Sequence, residues 1–224
     1  MHGVSIDKVR YLLQTHAHSD HFDGGHIQTR IPEYVVEGIE PLPIYASQGT
    51  LTKMSHQLRE LGYVKDLFDV DELKRINCSI VSLTTSALVT AGAYNILPVS
   101  SNHDVGEESL VFAIRNEGNS IFYGTDTDEL SSVSLTALVE CGWKYDIVIL
   151  DHTYGWDIDG GGHLNGNKFV AIMDFMNKNQ LVNDDTRFFA THISHEGNPP
   201  HEAFNKIAAK YGYEAAYDGL QIEI

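Results

Sequence analysis

The segment Thr15-His16-Ala17-His18-Ser19-Asp20-His21, placed at the end of the apolar run Val9 to Thr15, constrains this chain more than any other. Packing does not explain three imidazoles and a carboxylate in the six positions from His16 to His21. Neutral imidazole is the commonest metal ligand in proteins, and a carboxylate adds the hard oxygen that suits a dication. If the run stays extended, side-chain alternation puts His16 and His18 on one side, where both can reach one metal. Asp20 and His21 then lie past a turn, within reach of a second metal. A short H-x-H-x-D-H segment that seeds a two-metal site points first to hydrolysis.

The rest of the chain must supply a scaffold and further ligands. Its 224 residues, 42% of them hydrophobic, suggest one α/β domain over residues 1–224. The formal net charge of −16 sets the surface against phosphate backbones, which argues against long nucleic acid as a partner. Cys78 and Cys141 stand far apart with no C-x-x-C pair, so they read as two buried thiols in a reducing compartment. His2, Asp7, Lys8 and Arg10 interrupt any leader-like run at the N-terminus, and no stretch approaches the roughly 20 apolar residues of a membrane span. The expectation is a soluble, cytoplasmic protein with no membrane partner.

Patterning predicts strands at Val9–Thr15, Pro43–Ala46, Asp146–Asp151 and Arg187–Thr191, with several short strands between Cys78 and Ser101. A hairpin is expected from Leu110–Arg115 to Ser120–Tyr123 around Asn116-Glu117-Gly118-Asn119, and two short strands around Asp218-Gly219 close the chain. Helices are expected at Gln48–Leu61, Ser131–Cys141 and Asn165–Asn179, and from Pro199 or Pro200 to about Lys210. The acidic run Asp66–Glu72 reads as solvated surface.

Further candidate ligands fall at the ends of these strands: His103 after YNILPVSSN, Asp126 after SIFYGT, and His192 after RFFAT, with His195 close behind. His163 sits in Gly161-Gly162-His163-Leu164-Asn165, just ahead of a helix. Strand ends are where a rigid sheet positions functional loops. With H-x-H-x-D-H at His16 to His21, this order resembles the metallo-β-lactamase-fold hydrolases. Asp151-His152-Thr153, Thr191-His192-Ile193-Ser194-His195 and Ala216-Tyr217-Asp218-Gly219-Leu220 are similar to the phosphoribosyl cyclic phosphodiesterases and, more distantly, to ribonuclease Z.

The resemblance implies a four-layer αββα sandwich and two divalent ions. One ion is held by His16, His18 and His103, the other by Asp20, His21 and His192, with Asp126 bridging. Nitrogen and oxygen ligands suit zinc, manganese or iron alike. The implied reaction is hydrolysis of a small or cyclic phosphodiester by a metal-bridging hydroxide, with Asp20 and His163 as catalytic groups and His163 assisting the leaving oxygen. Thioester or lactone hydrolysis on the same metals, and RNA processing, remain the competing activities. His195 and His152 stand as substrate contacts or as partners of the ligands. His2, His26, His56 and His201 read as surface or supporting residues.

Relatives of this kind carry several strands ahead of the motif, whereas here it begins at His16. Part of the N-terminal sheet is therefore expected to be missing, and a second copy of the chain is a candidate to cover its exposed edge.

Overall fold

The computed structural model describes residues 8–34 and 38–224, and these form a mixed α/β fold of ten strands and six α-helices. The chain divides into two compact units, one made of residues up to Thr84 with Val105–Leu110, the other of Thr85–Asp104 with Val111–Ile224. His2 lies outside the described residues.

In the first unit, β1 (Leu12–Leu13), β2 (Leu42–Ser47) and β3 (Cys78–Leu83) form a parallel sheet in that order. Helix α1 (Gly24–Gln28) follows the histidine segment, its N-cap Asp23 accepting from the Gly25 amide at 2.8 Å. Helix α2 (Gln48–Glu60) starts where the Ser47 hydroxyl accepts from the Thr50 amide, and it buries Leu51, Met54 and Leu58 at helical spacing. These residues pack with Phe22, Ile27, Ile44, Leu67 and Ile76 in one apolar core. Helix α3 (Val70–Arg75) arises from the acidic run itself, because Asp69 caps the amides of Asp71 and Glu72. That run is therefore a helix start as well as a polar surface. Cys78 is buried in this unit, and burial pushes its thiol up to about 11.

The second unit holds β4 (Val89–Ala91), β5 (Tyr94–Ser100), β6 (Leu110–Asn116, which starts in the first unit), β7 (Asn119–Gly124), β8 (Ile147–Asp151), β9 (Arg187–Thr191) and β10 (Glu214–Ala215). These strands make a seven-stranded sheet ordered β10-β9-β8-β7-β6-β5-β4, and the same unit carries helices α4 (Ser132–Cys141), α5 (Gly166–Lys178) and α6 (His201–Ala208). The hairpin β6–β7 turns on Glu117 and Gly118, both with positive φ, as a two-residue turn between twisted strands requires. β7, β8, β9 and β10 run parallel, so their C-terminal ends share one edge of the sheet. The core is built from Val99, Val111, Phe122, Val148, Leu150, Phe169, Phe188 and their neighbours. Cys141, at the end of α4, is only half-buried, so the expectation of two fully buried thiols holds for Cys78 alone.

Two strand expectations shrink. Val9–Thr15 pairs in register with β2 only at Leu12 and Leu13. Of Tyr213–Ile224 only Glu214–Ala215 joins the sheet, because β9 offers the tail partners only at Phe189 and Ala190.

Candidate metal centre

The H-x-H-x-D-H segment lies in the first unit as a braced loop. Strand pairing ends at Leu13, yet His16 and His18, two positions apart, bring their rings together as expected, and a turn after His18 returns His21 to them. The amides of His21 and Phe22 both donate to the His18 carbonyl, at 2.9 and 2.8 Å. Buried Gln14 ties the two ends of the loop, its Nε2 donating to the carbonyls of His16 at 2.6 Å and His21 at 3.1 Å. Ala17 is held on both sides: its amide donates to Glu107 Oε1, and its carbonyl accepts from Gln57 Nε2 at 2.7 Å. Glu107 is itself buried, with Lys53 Nζ 2.5 Å from its other oxygen. In the resulting loop the His16 ring lies 4.6 Å from that of His18 and 4.3 Å from that of His21. Asp20 is exposed, with Oδ2 3.4 Å from His21 Nε2.

The second unit gathers His103, Asp126, Asp151, His163 and His192, most of them from the shared edge of the parallel strands. Asp126 follows β7, Asp151 ends β8 and His192 follows β9, where Asp151 is in register with Thr191. Asp126 and His192 both adopt positive φ, near +51° and +55°, a conformation disfavoured for residues with a Cβ and one that functional positions often hold. Buried Asp126 divides its carboxylate between two rings, with Oδ2 3.6 Å from His103 Nε2 and Oδ1 3.5 Å from His192 Nε2.

Both of these imidazoles present Nε2 because their Nδ1 atoms have acceptors. His103 Nδ1–H donates to the Gly162 carbonyl at 2.8 Å. His192 Nδ1–H donates to Thr153 Oγ1 at 2.8 Å, and the Thr153 hydroxyl donates in turn to Asp151 Oδ1 at 2.8 Å. His163 follows the same rule, its Nδ1–H donating to Asp151 Oδ2 at 2.6 Å. An acceptor at Nδ1 sets the tautomer and leaves a basic lone pair on Nε2, the usual arrangement of a metal-binding histidine. The His163 ring stacks on His192 at 5.1 Å and meets His103 edge-on at 4.6 Å. Donor atoms of Asp126, Asp151, His163 and His192 all fall within 4.8 Å of one another. The donor set is imidazole and carboxylate, which fits a divalent ion of borderline or hard character.

The loops are tied together as well. The Asn102 amide donates to Thr127 Oγ1, the Asp128 amide donates to the Asn102 carbonyl, and Asn102 Nδ2 donates to the Glu129 carbonyl. Asn102 thereby holds the loop of His103 to the loop of Asp126. Lys168 on α5 lies 2.7 Å from Asp128 and 2.8 Å from Asp159, which links the Asp126 loop to the glycine-rich loop of His163.

His152 is elsewhere. Fully buried, it sits among Phe204, Phe169, Tyr213 and Trp156, with Nε2 3.1 Å from the Tyr213 hydroxyl, and burial lowers its pKa. Its role here is to fill an aromatic nest. His195 is exposed, Tyr154 meets His163 edge-on at 5.9 Å, and Trp156 packs on Tyr211. His56 pairs with Arg59, and His201 with Asn205, at the surface; His26 is exposed on α1. Sequence reasoning assigned no role to Gln14, Glu107, Asn102 or Thr153. Asp151 carried a signal, as a carboxylate at the C-terminal end of the buried strand DIVILD.

A family model described as "Beta-lactamase superfamily domain" matches residues 2–193 of the chain. A search of curated proteins found no match. Among solved structures, the metallo-beta-lactamase fold protein YhfI from Bacillus subtilis is 18% identical, with a TM-score of 0.67 over 96% of this chain and 78% of that one. A diphosphatase from the PhnP family is 21% identical, with a TM-score of 0.66 over 96% of this chain and 70% of that one. Unliganded yeast PDE1 is 14% identical, with a TM-score of 0.70 over 95% of this chain and 68% of that one. At these identities the likeness is one of fold, and it is the fold expected from the motif.

Proposed function

We propose, from the premise that this chain belongs to the beta-lactamase superfamily of metal-dependent hydrolases, that it hydrolyses a small phosphodiester. The observation that carries the reading is the division of the Asp126 carboxylate between His103 and His192, each ring held with Nε2 forward. A carboxylate so placed suits two cations better than one. The ligands in this reading are the seven singled out by the sequence: His16, His18, Asp20, His21, His103, Asp126 and His192. When bound, two dications would activate water near neutral pH and stabilise charge on a phosphoryl oxygen.

The chain's own residues supply the rest. Asp151 holds His163 through Nδ1, so its Nε2 is the atom that gives a proton to the departing oxygen. Thr153 relays the same carboxylate to His192, so one buried anion orients both rings. The diphosphatase among the structural relatives adds support for a phosphorus centre. Elemental analysis of the purified protein, paired with bis-p-nitrophenyl phosphate, thioester and lactone substrates, tests the reading. Bound divalent metal with phosphodiester turnover abolished by Asp126→Ala is the expected result; turnover confined to thioesters or lactones overturns it.

A further inference from the structure

Beside His192 lies a cavity of about 340 Å³ lined by Thr191, His192, Ile193, Ala216, Tyr217 and Asp218. We propose that this cavity receives a neutral, hydroxyl-bearing ring on the substrate and rejects a second phosphate. The inference rests on the phosphodiester reading above and narrows its substrate class.

The cavity is built by the backbone. The Ala216 amide donates to the Ala190 carbonyl at 2.8 Å, which carries the tail on past β10 alongside β9. The Leu220 amide then donates to the Tyr217 carbonyl at 3.0 Å, closing a turn over Asp218 and Gly219. Gly219 has φ +90°, as the third position of such a turn requires. The His201 ring meets Tyr217 edge-on at 6.0 Å from α6. Tyr217 and Asp218 are therefore presented to the cavity by a fixed turn, and His192 joins the cavity to the candidate metal centre.

The chemistry of the lining selects the ligand. An ionised Asp218 accepts hydrogen bonds only, the Thr191 hydroxyl does both, and the Tyr217 ring offers an apolar face with a polar tip. Hydroxyl groups on a ring satisfy all three. Among the described residues, no lysine or arginine lines the cavity. A second phosphate would therefore face a carboxylate with no counter-charge. The volume lies at the low end of the roughly 300–1,000 Å³ of small-molecule sites, enough for one ring and not for a chain of nucleotides.

The test compares the p-nitrophenyl ester of thymidine 5′-phosphate with the same ester carrying a 3′-phosphate, in the wild type and in Asp218→Lys and Asp218→Asn. The wild type is expected to favour the first ester by about fivefold or more in kcat/KM, since like unit charges about 4 Å apart cost about that much even in water. Asp218→Lys is expected to bring the ratio to one or below, and Asp218→Asn to shift it part of the way. Equal turnover of both esters by the wild type, or a ratio untouched by either substitution, overturns the proposal. Saturation-transfer NMR with thymidine, which has no phosphodiester to hydrolyse, gives a second readout. Transfer is expected in the wild type and a clear loss in Tyr217→Ala; an equal signal in both overturns the proposal too. If neither ester is hydrolysed, the phosphodiester reading falls, and the NMR result still decides the pocket.

Discussion

Asp151 receives hydrogen bonds from three groups: the Thr153 amide and hydroxyl on Oδ1, and the His163 ring on Oδ2. Replacing the carboxylate with a carboxamide keeps the volume but removes the charge and turns one acceptor into a donor. Asp151→Asn should therefore lower turnover about 10- to 100-fold, the usual effect of losing a partner behind a functional histidine. The melting temperature should fall by only a few degrees, because the groups that donate to Asp151 keep part of their acceptor; loss of the fold with the activity would show that Asp151 is structural only. His152 leads to a different prediction. Burial keeps it neutral, with its pKa below the ordinary value of about 6.5. As pH falls through that ordinary value, the unfolded chain takes up a proton that the folded chain refuses. The stability contributed above about pH 6.5 is then lost progressively towards the lowered folded value. Urea denaturation of His152→Phe at pH 5 and pH 8 should show a smaller pH-dependent difference than the wild type. A difference as large as the wild type's would place the titration elsewhere. The clustering of Asp126, His163 and His192 was legible in the sequence, because each follows a strand or precedes a helix, where rigid elements position loops. Gln14, Glu107, Asn102 and Thr153 were not, because their roles come from partners up to 90 residues away.

At the scale of elements, the loops that carry candidate ligands are joined by polar contacts, with Lys168 as the clearest case. Its ammonium pairs with Asp128, a carboxylate only 14% exposed, and with Asp159, which is 64% exposed and contributes correspondingly less. Lys168→Met leaves Asp128 without its cation, though Oδ1 still accepts from the Glu129 amide, and should cost about 1–2 kcal/mol, the loss of a charged partner by a largely buried carboxylate. The double change Lys168→Met with Asp128→Asn should recover most of it. Chemical denaturation of the two single variants and the double variant measures the coupling, and additive losses would show that the pair contributes nothing. Several helices were readable because their caps are written locally: Ser47, Ser131 and Asn165 each accept from the amide three residues on. Asp69 does the same, yet its helix went unread because four acidic residues in Asp66–Glu72 look like surface. The length of β1 and the pairing of the tail depend on which neighbour is within reach, and hydrophobic pattern does not encode that.

For the whole molecule, charge is the property that composition alone determines. No described helix is long and apolar enough to cross a membrane. Two dications would cancel only about a quarter of the formal −16, leaving a strongly negative protein around an anionic substrate. A phosphodiester carries one charge and a long RNA carries one per nucleotide, so repulsion grows with substrate length while the chemistry at phosphorus stays the same. Salt screens that repulsion, because the Debye length falls from about 30 Å at 0.01 M to about 8 Å at 0.15 M. Raising salt over this range should leave kcat/KM for bis-p-nitrophenyl phosphate within about twofold, and any cleavage of a long single-stranded RNA should rise with salt. Proteins that grip nucleic acid behave in the opposite way, losing affinity as salt increases. Steady-state rates on both substrates across the salt series decide the matter. RNA cleavage that falls steeply with salt would reveal a basic binding surface and return RNA processing to first place.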